Sequence, residues 1–404
     1  MTRLIPFWMV AILPILGAAS TAFAEQDSAL HFAQPSTVFT TPPNSFTQLE
    51  SSGRRSIAIS GQTVAVSWTV SDAHSSSVFV AYRLPRAKAF TEPVKISGQQ
   101  LAYEPSITGL PGGLFLVGWE EDQKVWLRIV SPSKNSATVQ LGKSPAQQVS
   151  VDADYQHVAA AWSEGKEPHI FYADIQLVGE SLAAPVARAV DTSTDRAAQL
   201  YPVVEITRQG SVVAWEDRRK GVTRIASAFA ARGTSFGPYH LLNPFSHPPS
   251  RKYGRGSGSM RVALSSSGEM VLAVWLDKRN WRSGYDVFAS LSIDGGKTFD
   301  ANEKAQDMFG DNQPQWHPSV AMHNNQTLAV AAWDDTRNES PDVFYSLRED
   351  DTWGDDMELP GGDGPGRQSH PSIIFAPSGR LHVVWLAEVD GVTQLRYTQS
   401  DVVK

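Results

Sequence analysis

Seven times along the chain an apolar, β-rich run ends on a tryptophan: TVAVSW at Trp68, LFLVGW at Trp119, VAAAW at Trp162, SVVAW at Trp215, VLAVW at Trp275, LAVAAW at Trp333 and LHVVW at Trp385. The spacing is roughly 40–60 residues, a period that marks repeat architectures. Upstream of four of these tryptophans, by 13 to 15 residues, stand Pro105-Ser-Ile, Pro202-Val-Val, Pro318-Ser-Val and Pro371-Ser-Ile, each opening another short β-rich run; Ser56-Ile-Ala-Ile does so in the first copy. Downstream comes a third strand, among them Val78–Tyr82, Asp286–Ser290 and Asp342–Ser346, and then a fourth segment that often begins at an aromatic: Phe90, Phe236 or Trp353.

Four short strands joined by Gly, Ser, Asp and Pro turns form a β-meander, and seven meanders arranged radially form a propeller. The predicted fold is therefore all-β: a seven-bladed β-propeller of four-stranded antiparallel blades. Blade limits fall near 54–98, 103–142, 146–191, 200–243, 258–305, 316–360 and 369–399. The last copy stops after its third strand, and Asn44–Glu50 reads like a fourth strand, so residues 44–50 are expected to close the ring and pair an otherwise open edge.

Arg3, the apolar run Leu4–Ala19 and the small-residue stretch ending Ala22-Phe23-Ala24 have the pattern of a secretory signal peptide over residues 1–24. Residues 25–404 then form a single domain, exported to a periplasm or to the medium. No later apolar run is long enough to span a membrane. The formal net charge of −7 disfavours nucleic acid as a partner. With no cysteine, the chain has neither disulfides nor thiolate metal sites, and packing must supply its stability.

The turn Ser292-Ile-Asp294-Gly-Gly296-Lys-Thr-Phe299 resembles the Asp-box, or BNR repeat, of sialidase-like propellers. The wider unit W-x-D-x-R…D-V-F…S-x-D-G-G-x-T-F strengthens the match. In such a turn Ser and Asp side chains satisfy backbone N–H groups, Gly takes a positive φ and the aromatic tucks under the blade. Ser292, Asp294, Gly296 and Phe299 are thus structural. The resemblance also implies an arginine cluster for a carboxylate, a tyrosine nucleophile and an aspartate acid/base. Arg54 matches the first arginine and Asp72 would correspond to the acid/base. The family's Ile-Pro after that arginine is absent, the last inner strand reads Ser369-His370-Pro371-Ser372 where a Tyr-Ser is expected, and sialidases have six blades. The resemblance therefore implies the fold and not the reaction.

Strand direction places the starts of the first strands and the loops after each tryptophan on one face, with the Asp-box turns on the other. Near the axis of that face should lie Arg54, Arg55, Glu104, Tyr201, Ser259, Trp316 with His317, and Ser369 with His370, with Arg367 beside them. Arg54, Arg55, Glu104, Trp281, Arg282, Trp316 and Arg367 are ligand-binding candidates, because arginine forks suit anions and aromatic faces suit sugars. Asp72, Tyr201, His317 and His370 are the catalytic candidates. The seven repeated tryptophans are packing residues; Trp126, Trp281 and Trp316 lie outside that position. Trp-x-Asp-x-Arg recurs at Trp215/Asp217/Arg219, Trp275/Asp277/Arg279 and Trp333/Asp335/Arg337, which suits a loop brace better than three sites. No metal or cofactor is expected. The acidic turns Asp350–Asp356 and Gly361–Gly364 would suit a structural Ca2+ but lack EF-hand spacing, and His317 with His370 lack a third ligand in view.

Two functional readings stand. One is an exported binding or interaction module for a glycan, another anionic ligand or a protein. The other is a glycan-active enzyme, a divergent glycoside hydrolase or polysaccharide lyase, in which Arg54 neutralises a carboxylate and Tyr201 or a histidine moves a proton.

Overall fold

The computed structural model describes residues 30–50, 53–193, 197–219, 221–244, 258–279, 284–311 and 313–403. The signal-like residues 1–24 and the candidates Trp281 and Arg282 lie outside these.

Seven antiparallel sheets follow one another in the sequence, and in all but the last, which the N-terminal strand completes from outside, the earliest strand is innermost. Blade two is typical: Ala102–Leu110 is the inner strand, followed outward by Leu114–Glu121, Lys124–Val130 and Val139–Leu141. The seven repeated tryptophans sit on the second strands and are all fully buried. Each belongs to a separate apolar cluster shared with the preceding blade. Trp119 shares its cluster with Val80 and Tyr82 of blade one, Trp162 with Leu127 and Ile129 of blade two, and Trp68 with Leu395 and Tyr397 of blade seven. A ring burying about 200 Å² contributes up to about 5 kcal/mol, so seven such wedges are a large part of what holds the ring. Neighbouring inner strands are also tied by serine hydroxyls. The N–H of Val151 donates to Ser106 Oγ (3.2 Å), Val204 to Ser150 (3.1 Å), Ile373 to Ser319 (3.1 Å) and Ser56 to Ser372 (3.1 Å).

Ring closure uses a different segment from the one expected. The outer strand of blade seven is Ser36–Thr40, paired antiparallel with Gln394–Tyr397, and the isolated bridge Phe32–Ser400 extends the pairing. Phe46–Gln48 instead pairs with Thr69–Ser71 in blade one, as a detached first half of that blade's inner strand. Its second half, Ile57–Ser60, pairs with Thr63–Val66. Between the halves, Gly53, Arg54 and Arg55 lie outside the sheet. Gly53 has φ +82°, and a Cβ on it would stand 2.1 Å from the carbonyl oxygen of Val262 in blade five. Gly53 therefore stands against blade five, on the opposite side of the ring from blade one.

The Asp-box turn adopts the expected form. Ser292 Oγ accepts the Gly296 N–H (2.8 Å), and Asp294 Oδ1 accepts those of Lys297 (3.0 Å) and Thr298 (2.9 Å). Gly295 and Gly296 both have positive φ, and Phe299 packs against the cluster around Trp275. The Gly295 N–H donates to Glu269 O (2.7 Å) in the hairpin between the first two strands, so this turn lies on the face away from the loops after each tryptophan.

Candidate functional site

On the loop face, six inner strands slip register before they enter the sheet, and each slip carries one non-glycine residue with positive φ. These are Glu104, Gln148, Tyr201, Arg261, His317 and His370, with φ from 49° to 61°. A left-handed residue costs about 1–2 kcal/mol, so each bulge needs support. For four of the six the blade before supplies it. Glu120 accepts the N–H of Gln148, Glu216 that of Arg261 (2.9 Å) and Asp334 that of His370 (3.0 Å), while Gln148 Oε1 accepts that of Tyr201 (2.9 Å). All three carboxylates directly follow a repeated tryptophan.

The result is a ring of polar side chains at the axis, in which Arg54 holds the corresponding place in blade one. Glu104, Tyr201, His317 and His370 fall where strand direction predicted them. In blade five the position belongs to Arg261 and not to Ser259, whose Oγ is buried against Asp277 (3.1 Å). Gln148 was missed, although Ser150 two residues on is the same marker as Ser106, Ser319 and Ser372. Glu120, Glu216 and Asp334 had their own signal, an acidic residue next to the tryptophan.

The two arginines expected to offer open forks are committed internally. Arg54 is fully buried, with Nη2 on Glu50 (2.8 Å) and Glu104 (2.6 Å) and Nη1 on Val149 O (3.1 Å). Arg55 extends across the channel to Glu205 (2.7 Å), Asp152 (3.3 Å) and Leu264 O (3.4 Å), joining blade one to blades three, four and five. Both plug the propeller, because buried carboxylates around the channel need compensation that only a long cation can reach.

Carboxyl groups over Arg54 are crowded. Glu104 and Glu120 both titrate high. Burial pushes Glu120 up to about 8, and the charge of Glu104 adds to the effect. Burial, then the charge of Glu104, also raises the Tyr201 phenol. Burial lowers His370 to about 2, with His317, Arg261 and Arg367 contributing. A pocket of about 310 Å³ opens here, lined by Thr47, Gln48, Glu50, Thr69, Glu104 and His370 with Leu49, Pro105 and Leu386. Among the described residues its lining includes no lysine or arginine.

The remaining candidates are placed elsewhere. Asp72 is exposed in the loop after Trp68. It accepts the N–H groups of His74 (2.7 Å) and Ser75 (2.8 Å), and these bonds hold its carboxyl below the usual range, unsuited to donating a proton. Trp316 is half-buried against Tyr285 (5.5 Å), and Arg367 is exposed at the start of the last inner strand. Each Trp-x-Asp-x-Arg unit is a closed clasp. Asp335, for example, accepts the Trp333 indole N–H (3.2 Å) and the Arg337 fork (2.6 Å), and that guanidinium lies 4.1 Å above Phe344. In the acidic turns Asp356 is paired with Arg337 (2.8 Å) and Asp363 accepts the Gly361 N–H (2.9 Å).

Fold and site together define a seven-bladed β-propeller with a plugged channel and a polar axial pocket on its loop face. No protein-family model and no curated protein matches the chain. Solved structures share the fold. A protein of unknown function from Dyadobacter fermentans is 11% identical over 90% of this chain and 99% of its own, with a TM-score of 0.54. The phage phi92 endosialidase is 7% identical over 93% and 70%, with a TM-score of 0.52. An α-L-arabinanase of Penicillium chrysogenum, solved with arabinobiose, is 8% identical over 92% and 99%, with a TM-score of 0.50. At these identities the likeness is one of fold alone.

Proposed function

We propose that this chain is an exported, sialidase-like propeller that binds a glycan in the axial pocket of its loop face. The observation that carries the reading is the pocket itself: carboxyl, amide, hydroxyl and imidazole groups from blades one, two and seven converge on a space of sugar size. Concave sites with a few convergent polar groups are where small ligands bind, and the arabinanase that shares the fold was solved with arabinobiose. Because Arg54 and Arg55 are committed to internal carboxylates, the ligand is a neutral or amino sugar in preference to the anionic one that the sequence favours. A glycan array followed by calorimetry tests this. Binding that weakens at least tenfold in Glu104→Gln supports it, and a wild-type chain that retains no neutral or amino glycan refutes it. Export is tested by N-terminal sequencing of the secreted protein, which should begin at Glu25.

A second reading, a glycan-active enzyme, is favoured by one observation. Glu120 keeps its proton near neutral pH beside Glu104, as a general acid must. Hydrolysis or elimination products from a bound glycan, lost in Glu120→Gln while binding persists, would establish this reading; no turnover on any bound glycan would exclude it.

A further inference from the structure

His317 and His370 occupy the same bulge position in adjacent blades. Their rings lie face to face, with centroids 3.6 Å apart and planes 19° from parallel. Asp334 touches both residues: Oδ1 is 2.7 Å from His317 Nδ1 and accepts the His370 backbone N–H at 3.0 Å. One ring nitrogen from each imidazole and one carboxylate oxygen of Asp334 lie within 4.8 Å of one another.

We propose that His317, Asp334 and His370 form a site for a divalent transition-metal ion of the zinc type at the edge of the axial pocket. Two imidazoles and a carboxylate are a donor set that zinc takes with one position left open. Ligand atoms around a tetrahedral ion with bonds of about 2.05 Å stand about 3.3 Å apart. His317 and Asp334, at 2.7 Å, are already near that separation. Two imidazoles on one such ion have ring centres about 5 Å apart, so the ion opens the stacked rings by side-chain rotation while the strands stay in place. Ser369 Oγ lies 3.0 Å from His370 Nδ1, a second contact of the kind that fixes a ligating ring and leaves Nε2 for the ion.

The carboxylate brace alone does not account for the cluster. Glu216 supports the Arg261 bulge in the same way, and there the bulge residue is an arginine, not a histidine. Among the described residues, only at the junction of blades six and seven does the brace coincide with two histidines. His370 also lines the 310 Å³ pocket, so the open position of the ion is available to water or to a ligand hydroxyl.

The test uses the purified chain, freed of metal by a chelator and titrated with Zn2+ alone in the absence of sugar, so its outcome is independent of glycan binding. One ion per chain is expected, with affinity reduced at least tenfold in His317→Ala, His370→Ala and Asp334→Asn, and unchanged in His382→Ala, whose imidazole lies on the second strand of blade seven, 2.7 Å from the Tyr397 hydroxyl. Wild-type protein that takes up no stoichiometric zinc, or variants that bind as it does, would overturn the proposal. Should the variants fail to fold, Co2+ added to wild-type protein decides. Intense visible bands of a four-coordinate site support the assignment, and the weak bands of the hydrated ion overturn it.

Discussion

Arg55 Nη2 reaches Glu205 Oε2 at 2.7 Å across the central channel, a contact between residues 150 positions apart that joins blade one to blade four. Removing one partner of a buried ion pair costs about 3–5 kcal/mol, because the other charge is left uncompensated. Arg55→Ala should therefore lower stability in denaturant unfolding by that amount. Replacing Arg55, Asp152 and Glu205 together with apolar residues of similar volume should recover most of the loss. If Arg55→Ala unfolds at the wild-type denaturant concentration, the plug contributes nothing.

Gly296 fixes the Asp-box turn against the neighbouring blade. Its φ is +91°, and a Cβ there would lie 2.7 Å from Val212 Cβ. Gly296→Ala should cost about 2–5 kcal/mol, part from the left-handed backbone and part from overpacking. Adding Val212→Ala should relieve only the packing part, so the two substitutions should couple in a double-mutant cycle. Strict additivity would place the whole cost in the backbone.

These two sites differ in how far the sequence discloses them. The turn at Ser292–Phe299 was legible because every group it needs lies within eight residues, and the seven tryptophan strands because a buried ring recurs at one strand position. Their strand directions also placed Tyr201, His317 and His370. The closing strand was not legible, since STVFT at 36–40 and NSFTQLE at 44–50 are equally β-like and only the pairing partners separate them. Gln148 and Arg261 escaped notice because Val149 and Val262 replace the proline that follows the position in blades two, four, six and seven. The commitment of Arg54 and Arg55 depends on carboxylates from blades two, three and four, and no local pattern records that.

The Glu104 and Glu120 pair sets a pH dependence. Burial raises Glu120 from 4.5 to about 8, so between those values the folded chain holds a proton that the unfolded chain releases. The resulting stability is complete below about pH 4.5 and is lost as pH rises through about 8. Apparent melting temperature should fall from pH 5 to pH 8.5, and Glu120→Gln should make that fall shallower. Parallel wild-type and variant curves would show that Glu120 titrates normally.

The backbone at Gly53 should be the most sensitive in the molecule for binding, because it leads directly into Arg54 and Arg55, and Arg54 holds the pocket-lining Glu50. A Cβ on Gly53 would meet backbone atoms, the Val262 carbonyl at 2.1 Å and Ala263 Cα at 2.8 Å, and neither can turn aside as a side chain would. Gly53→Ala should therefore displace this backbone and weaken glycan binding at least tenfold while the blades persist, as read by calorimetry beside circular dichroism. Gly61 provides the control. It too has a positive φ, but a Cβ there meets nothing within 4 Å and it lies in a hairpin on the opposite face. Gly61→Ala should cost only the backbone strain of about 1–2 kcal/mol and leave binding intact. Equal losses of binding in the two variants would mean that the backbone at Gly53 has no special part in the site.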